Sequence, residues 1–231
     1  MWMDVPAGKI GVRYGGMMAC LDDIDITIKG KGGHGSMPHQ TVDPIVTAAQ
    51  VICALQTIAS RETSPVEPVV ISIGTIHGGY AYNIIADEVT MRGTVRAMNP
   101  KVREALPGQI ERTIAGVAAA MRASYSYQYH FGYPPVINDE GMTSLLEKSA
   151  AEVVGASNVM RLDNPTMGGE DMSYYLEKVP GSFAFVGIGN PDKGIIYPHH
   201  NARFDMDEDA LAIIEKGINP LVFPGLKDRK S

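Results

Sequence analysis

The sequence predicts a mixed α/β (α+β) chain in which a ferredoxin-like segment lies between two pieces of a helix-covered, partly parallel sheet domain. Three observations predict it. Over residues 19–132 the periodicity runs strand, helix, strand, strand, helix, strand, the ferredoxin-like order of an antiparallel sheet with two helices on one face. After the turn-rich GYPPVIND, around residue 135, the pattern changes to alternating helix and strand units. Those units supply too few strands for a complete doubly wound sheet, and the short GKIGVRYGG near the start is the one other piece able to join them.

Residues 21–29, LDDIDITIK, alternate Ile24, Ile26 and Ile28 with acidic and polar residues, the period of a strand with one buried face. The glycine-rich GKGGHG follows. Asp43-Pro44 then joins an N-cap to proline at the first helical position, opening a helix with Val46, Ala49, Ile52, Cys53 and Leu55 at helical spacing and ending near Arg61. Residues 68–77 and 86–96 read as period-two strands joined by GGYAYNII. Asn99-Pro100 repeats the cap signal ahead of a stripe of Val102, Leu106, Ile110, Ile114, Val117 and Met121, in which Pro107 should kink the helix. Residues 125–131, YSYQYHF, close the segment as a strand. Beyond it come a helix over 139–154, a strand at NVMRL, a helix opening at Gly169-Glu170, an apolar strand at SFAFVGIG and a helix from about Asp207 to Gly217.

A chain of 231 residues with 45% apolar content can bury a proper core. Its 20 basic and 26 acidic residues give a net charge of −6, which argues against nucleic acid and anionic membrane surfaces, since both demand clustered Lys and Arg. A small molecule or peptide fits better. No window approaches the roughly 18 consecutive apolar residues of a membrane span, and MWMDVPAGKIG has no basic stretch before an apolar run, so the expectation is a cytoplasmic protein. Cys20 and Cys53 lack CxxC spacing and are expected to be reduced and structural.

Four of the six histidines fall in GKGGHGSMPH and YPHHN. A catalytic zinc takes three protein ligands, and a two-metal site needs more, including a carboxylate. In YPHHN adjacent side chains diverge on an extended segment, so one at most faces a given metal. His34, in a glycine-rich loop, is equally compatible with a ligand-facing role and with a plain surface histidine. His77 and His130 lie on strand patterns and read as packed or edge positions. No HExxH, HxH or CxH occurs, so spacing alone leaves the site incomplete.

GKGGHGSMPHQTVDPI, GGYAYNIIADEVTMRGTVR, MGGEDMSYYLE and HHNARFDMDEDAL, in that order, closely resemble the amidohydrolases that include hippurate hydrolase, N-acyl-L-amino-acid amidohydrolase and the indoleacetyl-amino-acid hydrolases, a branch of the aminoacylase and dipeptidase metallopeptidases. The resemblance implies a zinc-peptidase-like α/β catalytic domain carrying two divalent metal ions (Zn, Mn or Co), interrupted by a ferredoxin-like lid that also dimerises. It assigns residues 1–18 to a fragment of the catalytic domain, 19–132 to the lid and 133–231 to the domain's carboxy-terminal part, the domain being truncated. In the family a Cys-x-His motif, a further histidine and an adjacent Glu-Glu pair, one of them the general base, precede the matched stretch.

Carried over by position, His200 matches the family's carboxy-terminal metal ligand, four residues before Phe204. His34 matches the lid histidine that reaches the partner subunit's site and polarises the scissile carbonyl. Asn83 and Arg96 match lid positions that hold substrate, an Arg fork suiting a carboxylate; a turn cap for Asn83 and a solvent-facing strand end for Arg96 stay open. Glu170 and Asp171, at an expected helix start, divide evenly between capping and a substrate-orienting role. The implied function is metal-dependent hydrolysis of an N-acyl amino acid or small peptide, with this chain inactive alone. The alternatives are a non-catalytic dimerising remnant, or one half of a split enzyme that needs an amino-terminal partner fragment. Phe183, Phe185 and Val186 are then expected to be poorly covered.

Overall fold

The computed structural model describes the backbone of residues 1–222 and the side chains of residues 1–216. In chain order the strands and helices are β1 (Trp2–Pro6), β2 (Ile10–Val12), β3 (Gly15–Met18), β4 (Leu21–Lys29), β5 (Gly33–His34), α1 (Pro44–Thr57), β6 (Val69–Gly78), β7 (Ile84–Ile85), β8 (Glu88–Ala97), α2 (Pro100–Ala120), β9 (Ser124–Tyr133), β10 (Val136–Asn138), α3 (Glu140–Val154), β11 (Val159–Arg161), α4 (Ser173–Leu176), β12 (Phe185–Gly189) and α5 (Asp209–Val222). They divide into two compact units. One holds residues 1–17, 136–166 and 172–231; the other holds 18–135 together with 167–171.

The second unit is ferredoxin-like. Its sheet has the order β6-β8-β4-β9 with every pairing antiparallel. Ile24, Ile26 and Ile28 of β4 and Val89, Met91 and Val95 of β8 share one face. They bury against Val51, Leu55 and Ile58 from α1 and its one-turn extension, and against Leu106, Ile110 and Ile114 of α2. Both helices start as their residues dictate. Asp43 accepts from the Ile45 and Val46 amides, Asn99 accepts from Lys101, and each cap is followed by proline. Pro107 does not end α2, which runs on to Ala120, and its carbonyl accepts from the Tyr127 hydroxyl at 3.3 Å.

One acidic residue sits inside this core. Asp22 shares the parity of the buried isoleucines and is fully buried. Arg103 answers it bidentately, Nε to Oδ2 at 2.9 Å and Nη2 to Oδ1 at 2.6 Å, and the Tyr129 hydroxyl (2.8 Å) and Gly132 amide (2.9 Å) complete the shell. Burial alone would raise the Asp22 carboxyl, but these donors, Arg103 foremost, outweigh it and hold the group below its ordinary range. Tyr129, itself buried and bonded to that carboxylate, is pushed well above the usual phenol range.

The first unit has a four-stranded sheet of order β1-β12-β2-β11, parallel except between β12 and β2. β1 is absent from the sequence reading because WMDVP carries no alternation. Its partner makes it a strand, since a Cβ on Gly187 would stand 2.0 Å from the Pro6 carbonyl oxygen, so only glycine lets the backbones pair. The apolar run expected at SFAFVGIG is shorter than its composition suggests. At Phe183 a side chain replaces the ladder: buried Asn138 accepts from the Phe183 amide (2.7 Å) and donates to its carbonyl (2.9 Å). Phe185 is not left uncovered, being 4% exposed beneath Trp2, whose ring stacks on it at 4.4 Å.

Candidate functional site

His34 ends the two-stranded ribbon of β5 and β7, where it pairs with Ile84. The glycines on either side of it serve chain-on-chain contact. A Cβ on Gly30 would lie 2.1 Å from the Val42 carbonyl oxygen, and one on Gly35 would lie 2.8 Å from that of Asn83. The Gly35 amide donates to the same Asn83 oxygen at 2.8 Å, so His34 and Asn83 belong to one corner, and both are exposed. The His34 ring is oriented: Nδ1 accepts from the Ser36 amide at 3.2 Å and lies 2.8 Å from Ser36 Oγ. An accepting Nδ1 puts the proton of the neutral ring on Nε2, which leaves His34 presenting an N–H donor.

Arg96 lies near the end of β8 and is half-buried. Its Nη1 donates to Thr94 Oγ1 and to the Val95 carbonyl at 3.1 Å, and its other N–H groups make no bond among the described residues. The ladder that pairs Asp22 with Val95 sets Leu21 abreast of Arg96. Gly169 packs on that leucine, where a Cβ would come within 2.8 Å of Leu21 Cβ, and half-buried Glu170 is the next residue in the chain. Glu170 and Asp171 precede the helix and do not occupy its N-cap position. The helix there is only Ser173–Leu176, with Met172 at its N-cap and no side-chain cap from that residue.

These two corners lie at opposite ends of one ladder. β4 spans nine residues, about 30 Å at roughly 3.3 Å each, and beyond it the pairing continues through Gly30 to Asp87, Gly33 to Ile85 and His34 to Ile84. An N-acyl amino acid is on the order of 10 Å long by the same backbone dimensions. One ferredoxin-like unit therefore cannot place both corners on one such molecule.

In the first unit the adjacent histidines lie in a turn, not on the extended segment the sequence suggested. His199 packs against Trp2 (ring centroids 5.2 Å apart) and Phe204 (5.0 Å). His200 is exposed and holds φ +66°, a left-handed setting uncommon outside glycine. Among the described residues no group of three His, Cys, Asp or Glu side chains gathers around His200 or elsewhere. The described residues therefore do not fit a catalytic metal, which takes three protein ligands. Nearby chemistry is structural: Asp207, buried, accepts from Asn190 at 2.6 Å and Lys193 at 2.9 Å, which hold its carboxyl down at about 2, and its carbonyl and carboxylate accept the first amides of α5.

Sequence reasoning missed Asp22 and its partners. The signal was present, since an acidic residue at a buried parity of β4 must have a counter-charge. It missed the Ser36 contact that orients His34, which no pattern announces. Both thiols are free, Cys20 buried and Cys53 exposed. Burial foremost, with the Asp22 charge next, pushes the Cys20 thiol up to about 11. No helix among the described residues is long and apolar enough to cross a membrane.

A ferredoxin-like unit carried between the segments of an α/β unit is an architecture shared with hydrolases of solved structure. A crystal structure from methicillin-resistant Staphylococcus aureus superposes with a TM-score of 0.84 at 30% identity, covering 98% of this chain and 58% of that one. The Bacillus subtilis YXEP protein, described as a dinuclear metal binding peptidase, superposes at 0.72 with 30% identity, covering 97% of this chain and 55% of that one. The chain belongs to peptidase family M20/M25/M40, whose description residues 4–221 match. Its relatives are hydrolases. Thermostable carboxypeptidase 1 of Saccharolobus solfataricus is 37% identical over 90% of this chain and 52% of its own length. The N-acyl-L-amino acid amidohydrolase of Geobacillus stearothermophilus is 46% identical over 61% of this chain and 38% of its own. The chain spans about half the length of the curated relatives it matches.

Proposed function

We propose that this chain carries the substrate-holding half of an amidohydrolase acting on N-acyl amino acids of the hippurate type, and that two copies are needed to complete that hold. The carrying observation is the separation of the two corners. His34, with its proton on Nε2, donates to the scissile carbonyl and steadies the oxygen as charge develops there, with Asn83 beside it. Arg96 of the other copy takes the substrate carboxylate with the free N–H groups of its fork, and Glu170 flanks it. Copies pair through the edge strand β6 and the outer face of α1, where Val70, Ile76, Ile45 and Val46 are exposed; a bare sheet edge with apolar flanks favours such pairing. The site of action is the cytoplasm.

The family reaction uses a metal-activated water, with Zn, Mn or Co as the ion. His200 is the one ligand that the resemblance assigns within residues 1–231, so these residues by themselves supply neither a full ligand set nor the general base, and they are expected to hydrolyse nothing alone. The absence of a three-ligand group among the described residues also favours a second reading, in which the chain is a dimerising partner without catalysis or one half of a split enzyme awaiting an amino-terminal fragment. Subunit mixing tests the shared hold. His34→Ala and Arg96→Ala chains each bind N-benzoylglycine at least tenfold more weakly than wild type. On random exchange about a quarter of the sites in the mixture regain wild-type affinity, because half of the dimers carry one intact pair. A mixture that binds no better than its parents overturns the two-copy arrangement.

A further inference from the structure

The turn between β6 and β7 carries two tyrosines that the rest of the chain does not use. Tyr80 is 79% exposed and Tyr82 104%. Neither makes a hydrogen bond or ring contact among the described residues. Single exposed rings are ordinary, but two on a three-residue span beside a concavity form a surface able to stack a ligand. Their backbone is held in place. Gly79 takes φ +80°, a Cβ on Gly78 would meet Val89 Cγ2 at 2.5 Å, and the Ile84 amide closes the turn on the Ala81 carbonyl at 3.3 Å. With Gly35, Asp43, Ile45 and Ile84 the tyrosines line an open groove of about 640 Å³.

That groove is continuous with the His34 corner. Gly35 follows His34, Tyr82 precedes Asn83, and the Gly35 amide bonds the Asn83 carbonyl. Its apolar lining comes from Ile45 and Ile84, while the one carboxylate on its wall, Asp43, is already occupied by the Ile45 and Val46 amides at 2.9 and 3.2 Å. The groove therefore offers flat π faces and aliphatic wall, with no cation in its lining and the Asp43 carboxylate as its one charge, which disfavours an anionic acyl group.

We propose that Tyr80 and Tyr82 form the acyl subsite and set a preference for flat, uncharged acyl groups over small ones. This rests on His34 and Asn83 holding the scissile carbonyl. The acyl group is one bond from that carbonyl, so it occupies the adjacent concavity. An aromatic acyl group stacks on the phenol rings, whereas an acetyl group is too small to reach both.

The test is calorimetric binding of N-benzoylglycine and N-acetylglycine to the 231-residue chain and its variants, with light scattering on each sample. Wild type binds the benzoyl compound about tenfold more tightly, the order expected of one or two aromatic contacts. Tyr80→Ala and Tyr82→Ala bring the ratio to within about twofold, and Tyr82→Phe, which keeps the ring, retains it. Arg96→Ala weakens both ligands alike and leaves the ratio intact, because the carboxylate is common to both. An unchanged ratio in the tyrosine variants, or no preference in wild type, overturns the subsite while leaving the Arg96 hold standing. Affinities indifferent to Arg96→Ala overturn the hold while the tyrosine preference survives. Dissociation of a dimer by Tyr80→Ala or Tyr82→Ala shows the rings covered by a second copy, which overturns the subsite as well.

Discussion

Removing Asp22 is the perturbation whose size the structure sets most directly. The carboxylate is fully buried, and Arg103, with its side chain 13% exposed, pairs with no other carboxylate among the described residues. Asp22→Ala leaves that guanidinium nearly buried without its counter-charge, keeping the Gly132 carbonyl (2.9 Å) and the Phe131 ring (5.1 Å), and leaves the Tyr129 hydroxyl and Gly132 amide without their acceptor. Breaking a buried pair from one side costs about 3–5 kcal/mol. Two charge-assisted bonds at about 1.5–3 kcal/mol each give the same range independently. Against a typical total of about 5–15 kcal/mol, such a loss is a large fraction of the stability of the ferredoxin-like unit. Urea unfolding followed by circular dichroism should show it for Asp22→Ala and for Arg103→Ala. The double variant should lose less than the sum by about 2 kcal/mol or more, since the second change removes the orphan left by the first. The carboxyl sits below its ordinary value of 3.8 in the folded state, so its contribution is full above that value and is lost as pH falls through the lower folded value. Single-variant losses under about 1 kcal/mol, or strict additivity, would refute the claim that this pair staples the unit.

Other consequences are equally concrete. An aromatic disulfide reagent at neutral pH should label one thiol of the native chain, exposed Cys53, and reach Cys20 only on unfolding, because burial raises that thiol to about 11; two fast thiols would contradict the burial. Val46→Glu with Ile76→Lys, both on exposed positions, should convert a dimer to a monomer without altering the circular dichroism, and a dimer unaffected by the pair would place the interface elsewhere. Gly35→Ala should cost about 1–3 kcal/mol, since the new Cβ meets the Asn83 carbonyl oxygen at 2.8 Å and the ribbon must give; a neutral effect would mean that the His34 corner is loosely held.

The ferredoxin-like half was legible because its patterns are local. The isoleucine alternation of β4, the Asp43-Pro44 and Asn99-Pro100 caps and the stripe of α2 each fix an element from adjacent residues, and the observed strand and helix limits fall within a few residues of those signals. The other half was less legible because its elements are made by partners. β1 exists through the glycines of β12, and β12 is shortened where the Asn138 side chain takes over its hydrogen bonds. At the candidate site, motif order picks out His34, Asn83, Arg96 and His200 as candidates, but not their arrangement. The two-corner geometry depends on the β4–β8 register, a long-range pairing that composition does not encode. A helix opening at Gly169-Glu170 is expected from the sequence, whereas the observed helix begins at Ser173, and Gly169 packs against Leu21.

The central proposal is that residues 1–231 hold substrate and do not by themselves activate water. The direct measurement is the metal content of the purified chain after incubation with Zn, Mn or Co, taken with N-benzoylglycine hydrolysis in the same samples. The account predicts well under one retained ion per chain and no turnover above the buffer blank. Two tightly held ions per chain with metal-dependent turnover would contradict it.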